Sequence, residues 1–393
     1  MTSSAPLKGI VVVEIGHSVS APFAGLVLGQ LGAEVIKVEH PNGGDHARRW
    51  GPPLHDGASA LFHSMNREKC GVALDLRDAQ ARESLVQLIV DRADVVIQNL
   101  RPNSIEDLGL GAADLALRKP SLIYCNLSAF GGVGPMGSNP GYDPLMQAYG
   151  GMMSVTGEEG RPPVRVGVSI IDIGAGMWSV MGVVAALLER ARTGHGGVVQ
   201  TSLYETALAW MGVHIAELSA SGVDPRRHGS GAAQIAPYEV FETADGSLMV
   251  AAGNDALFTK LCIALDRAQW IEDMRFSTNP ARVENRSALS AMLWDIFRTQ
   301  PTLQWRNRLD GAGIPNAPLR QLSEVIADVQ TAALSILQHI PRAGLTTVGI
   351  PIQFDGERQK VRRPAPRLGE HTRELIPKAT TQSDAPVAGG PNG

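Results

Sequence analysis

The chain of 393 residues is too long for one ordinary core and comfortable for two domains, and 44% hydrophobic with 19% charged residues is a folded, globular composition. A net charge of −4, from 35 Lys+Arg against 39 Asp+Glu, supplies no global field for nucleic acid or an anionic membrane, so any polyanion must be met by a local cluster. Cys70, Cys125 and Cys262 are far apart and form no CxxC pair, which supports neither a disulfide framework nor a metal site.

The N-terminus lacks a basic segment followed by an apolar signal core, and the apolar stretches read as interrupted before the roughly 20 residues that span a bilayer. A soluble, cytoplasmic protein is expected. Ile10 to Ile15 is a β-branched run ended by Gly16, Pro22 to Leu31 has helical composition closed by Gly32, and Val35 to Val38 reads as a second buried strand. Apolar runs without alternation, separated by helices, indicate a parallel sheet covered on both faces. The pattern continues with a strand at Val72 to Leu76, a helix at Ala79 to Asp91 and a strand at Asp94 to Gln98. A short helix near Ala112 to Leu117 and a strand at Leu122 to Asn126 complete a Rossmann-like half.

A Gly-rich passage, Gly131 to Gly160, leads into a β-rich run from Val164 to Ile171 that stops at Asp172. Ile173 to Arg192 is apolar nearly all round, as a buried helix must be, and strand Val198 to Leu203 and helix Glu205 to Ser219 follow. Composition turns polar and rich in Gly and Arg over Ser221 to Gln234, which marks a boundary. The expected organisation is α/β: a Rossmann-like large domain over 1–220, a smaller α+β domain over 221–330, a return segment over 331–378 and a disordered tail over 379–393. Short strands such as Leu248 to Ala252 and helices such as Ala288 to Phe297 belong to the small domain, with Trp270 and Trp305 as core anchors, and Val348 to Phe354 reads as a late strand. The methionines Met146, Met152, Met153, Met177 and Met181 read as core packing or an acyl-pocket wall.

The first β-α-β unit invites a dinucleotide site, with Glu39 placed as a ribose-binding acid, but His17-Ser18-Val19-Ser20-Ala21-Pro22 after Gly16 lacks GxGxxG. Basic residues nevertheless recur after the expected strands: Lys37, His40, Arg48 and Arg49, then Arg77, then Arg101. Ligands of open α/β sheets bind at that edge, so a phosphate-bearing ligand competes with a reading of solvated surface charge. No Walker loop accompanies these residues.

Several collinear motifs carry a resemblance. Leu7-Lys8-Gly9-Ile10 with Pro22, the run from Leu31 to Glu39 with Gly44-Asp45, Asn66-Arg67 to Leu74-Asp75, Asn99-Leu100-Arg101-Pro102 and Leu368-Gly369-Glu370-His371-Thr372 resemble the family III CoA-transferases. The resemblance runs from Leu7 to about Leu375. It implies an acyl-CoA:carboxylate CoA-transferase with a succinyl-type donor, coenzyme A as co-substrate, no tightly bound cofactor or metal, and an interlocked homodimer. It assigns the covalent nucleophile to Asp172 in Val166 to Gly176, although an Asp at a strand-to-helix junction is, by spacing alone, usually a helix N-cap. Helix-start N–H groups and the dipole are expected to keep this carboxylate ionised.

The same resemblance places the mobile glycine loop, an oxyanion-donor candidate, at Gly229, Gly231 and Gln234; a plain interdomain linker is the competing reading. Coenzyme contacts fall on His17, Ser18, His40, Leu74, Arg77, Asn99, Leu100 and Arg101, while Asp107 stands where the formyl-CoA enzyme has an arginine. Related α-methylacyl-CoA racemases carry Gly-His-Asp where this chain has Gly141-Tyr142-Asp143. A phenol of unperturbed pKa near 10 is a poor substitute for that base, so Tyr142 and Asp143 are expected to support Asp172 or simply to build a turn. Racemase or epimerase activity is the alternative, and a non-catalytic CoA-binding protein the third reading. A dicarboxylate acceptor would want a further cation, for which Arg165 and Arg226 are candidates.

Overall fold

A computed structural model describes residues 5–376. The chain divides into two compact units, one holding residues 5–150, 166–212 and 329–376, the other 151–165 and 213–328. The stretch 151–165 thus belongs to the second unit, where the Gly229 N–H donates to Gly157 O at 2.9 Å. The tail expected over 379–393 lies outside the described residues.

The first unit is a six-stranded parallel sheet. Its strands are β1 (Val11–Ile15), β2 (Glu34–Glu39), β3 (Lys69–Ala73), β4 (Val95–Gln98), β5 (Ile123–Ser128) and β6 (Gly197–Ser202), in the spatial order β3-β2-β1-β4-β5-β6. Registers such as Val12 opposite Val35 and Val95 place valine and isoleucine on both faces of the central strands. Helices α1 (Ser20–Gln30), α2 (Ala79–Arg92), α3 (Asp143–Tyr149), α4 (Ile170–Thr193) and α5 (Leu203–Trp210) accompany the sheet. One buried cluster on the sheet gathers Val13, Ile36, Leu85 and Ile89, another Val12, Leu28, Ile97 and Val183, so both faces are covered. The strand order reverses between β1 and β4, and a crevice at the carboxyl ends of those two strands is where such a fold takes ligands.

Several segments differ from expectation. The strand expected at Val72 to Leu76 begins instead at Lys69, whose ammonium is fully buried in an ion pair and so hides the strand from a hydropathy reading. Val164 to Ile171 is not a strand: the Val166 N–H donates to Gln147 Oε1 at 2.8 Å rather than to a sheet partner, and α4 already begins at Ile170. The late strand at Val348 to Phe354 is replaced by a hairpin of β-strands Leu337–Ile340 and Leu345–Val348, with only a single bridge, Phe354 to Glu357, beyond it. Pro351 has no N–H to extend the ladder. Helix α4, at 24 residues, is long and apolar enough to cross a membrane by length and composition, contrary to expectation. Its buried face, including Ile171, Ala175, Val180 and Val183, packs instead within the first unit.

The return segment closes an edge of the sheet. Gly71 N–H donates to His371 Nδ1 (3.1 Å), His371 N–H to Gly71 O (2.8 Å) and Ala73 N–H to Thr372 Oγ1 (2.9 Å). The closing Gly369-Glu370-His371-Thr372 motif therefore satisfies edge-strand groups of β3 that would otherwise be left unpaired. The second unit has its own core, with Phe241, Phe258, Trp270, Phe297 and Trp305 around an antiparallel sheet of Tyr238–Glu242, Ser247–Ala251 and Asn316–Pro318. Trp270 and Trp305 are both buried. Among the methionines, Met146 is fully buried, whereas Met177 and Met181 are about half exposed on α4 and are not core.

Candidate active site

The turn that follows β1 is built by buried charge. Lys37 Nζ pairs with Glu14 Oε1 (3.0 Å) and Asp45 Oδ2 (3.0 Å) and donates to Gly16 O (2.8 Å), while Lys69 Nζ takes Glu14 Oε2 (2.7 Å). Burial opposes charge on Lys37, yet Glu14 and Asp45 outweigh it and hold the ammonium above its ordinary pKa. For Lys69 burial wins and draws the group down to about 8. Asp45 Oδ1 in turn accepts from the Ser18 N–H at 3.0 Å and so holds Ser18 at φ +70°, a left-handed conformation uncommon for a residue with a side chain.

Asn99, just past β4, ties the two strand ends together. Its Oδ1 accepts from His17 N–H (3.0 Å), and its Nδ2 donates to His17 O (3.0 Å) and Ser20 Oγ (3.2 Å). Two cavities of about 270 Å³ each open at this crossing. One is bounded by Val38, His40, Leu74, Arg77 and Leu108, the other by Ser20, Asn99, Arg101, Tyr142 and Asp172. They share His17, His46 and Leu100, and the His17 and His46 rings meet edge to face with centroids 6.0 Å apart. Burial, chiefly, lowers the pKa of His17.

Asp172 sits in the first turn of α4 and is 9% exposed. Ser169 occupies the N-cap position, so Asp172 is not the cap. The capping work falls to Asp143, whose Oδ2 accepts from the N–H groups of Ile171 (2.7 Å) and Asp172 (3.2 Å), and whose Oδ1 is held by Gln147 Nε2 (2.6 Å). The expectation that helix-start amides keep Asp172 ionised therefore fails, because a neighbouring carboxylate has taken them. Burial first, and the charge of Asp143 second, push Asp172 up to about 7, opposed by a hydrogen bond from Ser20.

Small residues let α4 come this close. A Cβ on Gly176 would stand 2.8 Å from Ser20 O, and one on Gly174 2.8 Å from the Trp210 ring. Both glycines are legible in the sequence, but only the packing tells what they approach.

Of the expected site residues, Asp172, Tyr142, His17, Ser18, Asn99, Leu100 and Arg101 share the second cavity, and His17, His40, Leu74, Arg77 and Leu100 the first. His40 is exposed and lies 3.7 Å from Asp75. Gly229, Gly231 and Gln234 belong to the second unit. There the Gly229 and Gly231 amides donate to Gly157 O and His228 O, and the Gln234 amide to Glu217. In this arrangement of the loop neither glycine amide is available as an oxyanion donor. Arg226 pairs with Glu159 at 3.7 Å in that same unit, to which Arg165 also belongs; the Asp172 cavity is lined instead by the Arg101 guanidinium and the imidazoles of His17 and His46. The sequence reading missed Ser20 and His46. His46 follows the Gly44-Asp45 motif by one residue, the one signal that pointed to it.

A buried carboxylate lines a cavity that adjoins an arginine-edged crevice at the switch point of a parallel sheet, the edge at which α/β enzymes take their ligands. The sequence profile described as CoA-transferase family III matches residues 7–372, and the chain belongs to that family. It is 33% identical to a mouse succinyl-CoA:glutarate CoA-transferase, over 95% of this chain and 86% of the relative, and 35% identical to a succinate–glutarate CoA-transferase of Agrobacterium fabrum, over 96% of each. The crystal structure of a CaiB/BaiF family protein from Brucella suis superposes with a TM-score of 0.84 at 36% identity, covering 94% of this chain and 98% of that one. The protein is thus a CoA-transferase, acting between an acyl-CoA and an organic acid.

Proposed function

We propose that the transfer runs through covalent intermediates on Asp172, with a succinyl-type acyl-CoA as donor and a small dicarboxylate as acceptor. The observation that carries this reading is the placement of Asp172, buried yet lining a cavity that meets the Arg77 crevice at His17, His46 and Leu100. A coenzyme whose nucleotide end lies along β2 and β3, between Val38, Leu74 and Leu76, would extend its thioester past His17 toward Asp172. Arg77 and Arg101 are exposed at the rims and suit phosphate oxygens.

An Asp172 oxygen attacks the thioester carbonyl; the new C–O bond forms as the C–S bond breaks, and CoA leaves as thiolate. The thiolate then attacks Cγ of the mixed anhydride and releases the donor acid, leaving an aspartyl-CoA thioester. The acceptor carboxylate attacks the same Cγ, freeing thiolate and forming a second anhydride, whose acyl carbon the thiolate takes to give the new acyl-CoA and restore Asp172. A weak nucleophile succeeds here through position, since held geometries reach effective molarities of ~10⁵ M or more. One thioester is consumed and one made, so no nucleotide is required.

The assembly proposed is a homodimer of the interlocked kind. Its support is the unpartnered apolar face of α4 and α5, where Met177, Trp178, Met181, Leu188 and Trp210 stand between 38% and 67% exposed.

The test is mass spectrometry of enzyme quenched during turnover with succinyl-CoA and glutarate. A CoA adduct on the peptide bearing Asp172, absent in Asp172→Ala, is the expected result; exchange by Asp172→Ala at the wild-type rate overturns the assignment.

A further inference from the structure

We propose that Ser20 is a catalytic residue, its hydroxyl fixed by Asn99 as a hydrogen-bond donor to the side-chain oxygens of Asp172. This inference rests on Asp172 as nucleophile and goes beyond it by naming the group that handles charge on Asp172 itself.

A serine hydroxyl can donate once and accept twice, and its direction is ordinarily free. Here it is not. Asn99 Nδ2 donates to Ser20 Oγ at 3.2 Å, and the orientation of that amide is in turn set because Asn99 Oδ1 accepts from the His17 N–H and Nδ2 also donates to His17 O. With an acceptor site of Oγ taken by the Asn99 amide, the hydroxyl hydrogen turns away from Asn99, and the Asp172 carboxylate, which lines the same cavity, takes it. The backbone enforces the approach: α4 crosses so close to the start of α1 that a Cβ at Gly176 would lie 2.8 Å from Ser20 O, and Asp172 stands one helical turn before Gly176 on the same face. Ser20 is 3% exposed, which limits competition from bulk water for the bond.

The donor serves two moments of the reaction. Before attack it favours the ionised carboxylate against burial and the charge of Asp143. After acylation, each nucleophile that adds to Asp172 Cγ, thiolate or acceptor carboxylate, makes a tetrahedral centre whose negative oxygen is the former carboxylate oxygen. Ser20 donates to that oxygen with no reorganisation. No proton is transferred; the hydroxyl keeps its hydrogen throughout.

Ser20→Ala removes the donor, and Ser20→Thr restores the hydroxyl. In Ser20→Ala the acid limb of kcat/KM, set by Asp172, should move to higher pH by about one unit, and the plateau rate should fall by ~10- to 100-fold, as for loss of a hydrogen bond to a charged group. Ser20→Thr should return the limb toward wild type. Circular dichroism and thermal melting check that each variant is folded; if Ser20→Thr does not fold, Ser20→Cys, which carries only a weak donor, should show a limb between alanine and wild type. An unmoved limb in folded Ser20→Ala, with the wild-type rate retained, overturns the proposal. The two readings separate in the wild type: absence of any covalent adduct on Asp172 refutes the nucleophile, whereas an adduct together with an unmoved Ser20→Ala profile refutes only the role of Ser20.

Discussion

Asp143 Oδ2 lies 2.7 Å from the Ile171 nitrogen and 3.2 Å from that of Asp172, so one carboxylate caps the helix that carries another. The same contact does two opposed things. It satisfies amides that the start of α4 would leave without partners, and it sets a negative charge beside the group that must itself become negative.

Asp143→Asn keeps a cap oxygen but removes the charge. Asp172 should then ionise at lower pH, and the acid limb of kcat/KM should move down from about 7. The direction is opposite to that expected for Ser20→Ala, which makes the pair a check on sign. The substitution also points an amide donor at Gln147 Nε2, whose own Oε1 is held by the Val166 N–H, so a mismatch costing about 1–3 kcal/mol of stability is expected beside the kinetic shift. Rate profiles and urea melts read the two effects separately; an upward limb would contradict the electrostatic account.

Asp172 itself should make stability pH-dependent in an unusual sense. Its pKa is raised in the fold, from 3.8 to about 7, so between those values the native state holds a proton that the unfolded chain releases. By linkage the fold loses stability as pH rises through this window. Asp172→Asn removes that loss, and should melt near wild type at pH 4 but above it at pH 8, by on the order of 4 kcal/mol at most. Thermal melts at the two pH values decide it; equal shifts at both would mean that ionisation of Asp172 carries no such cost.

How far the sequence foretold this site depends on what each residue needed. The apolar runs of β1, β2, β4 and β5 were legible because both faces of the sheet are buried, and the order of helices and strands followed from them. Lys69 defeated that logic: a lysine reads as surface until Glu14, 55 positions earlier, is seen to neutralise it. Asp172 was found by resemblance, but its ionisation was misjudged, since nothing local says that Asp143, 29 residues away in sequence, takes the helix amides. Ser20 gave no signal at all, because the direction of its hydroxyl is a property of Asn99, 79 residues distant.

Arg101 lines the Asp172 cavity and Arg77 the adjoining one, and both side chains are exposed. If they meet CoA phosphates, Arg77→Ala and Arg101→Ala should each weaken CoA binding by about three- to tenfold, with KM for acyl-CoA rising and kcat little changed, because the contact is equal in ground and transition states. Titration calorimetry at two salt concentrations gives the check. Affinity unchanged in both variants would put the phosphates elsewhere.

Two lysine substitutions and one surface control test whether the buried charges hold the β1 turn. Lys37→Met leaves Glu14 Oε1 and Asp45 Oδ2 facing each other's environment without their cation, in side chains of 0% exposure. Removing one member of such a pair costs about 3–5 kcal/mol, because the partners stay buried and charged. Lys69→Met should cost less, since burial has already drawn that ammonium to about 8 and Lys37 still serves Glu14. Arg92→Ala breaks an exposed pair with Glu34 and should cost no more than ~1 kcal/mol. Melts should therefore rank Lys37→Met below Lys69→Met below Arg92→Ala. Because Asp45 also holds the Ser18 N–H, Lys37→Met should in addition weaken CoA binding, whereas Arg92→Ala should not. If the ranking is reversed, or if Lys37→Met binds CoA as wild type does, the network is a passive feature of the core and the left-handed turn at Ser18 is held by something else.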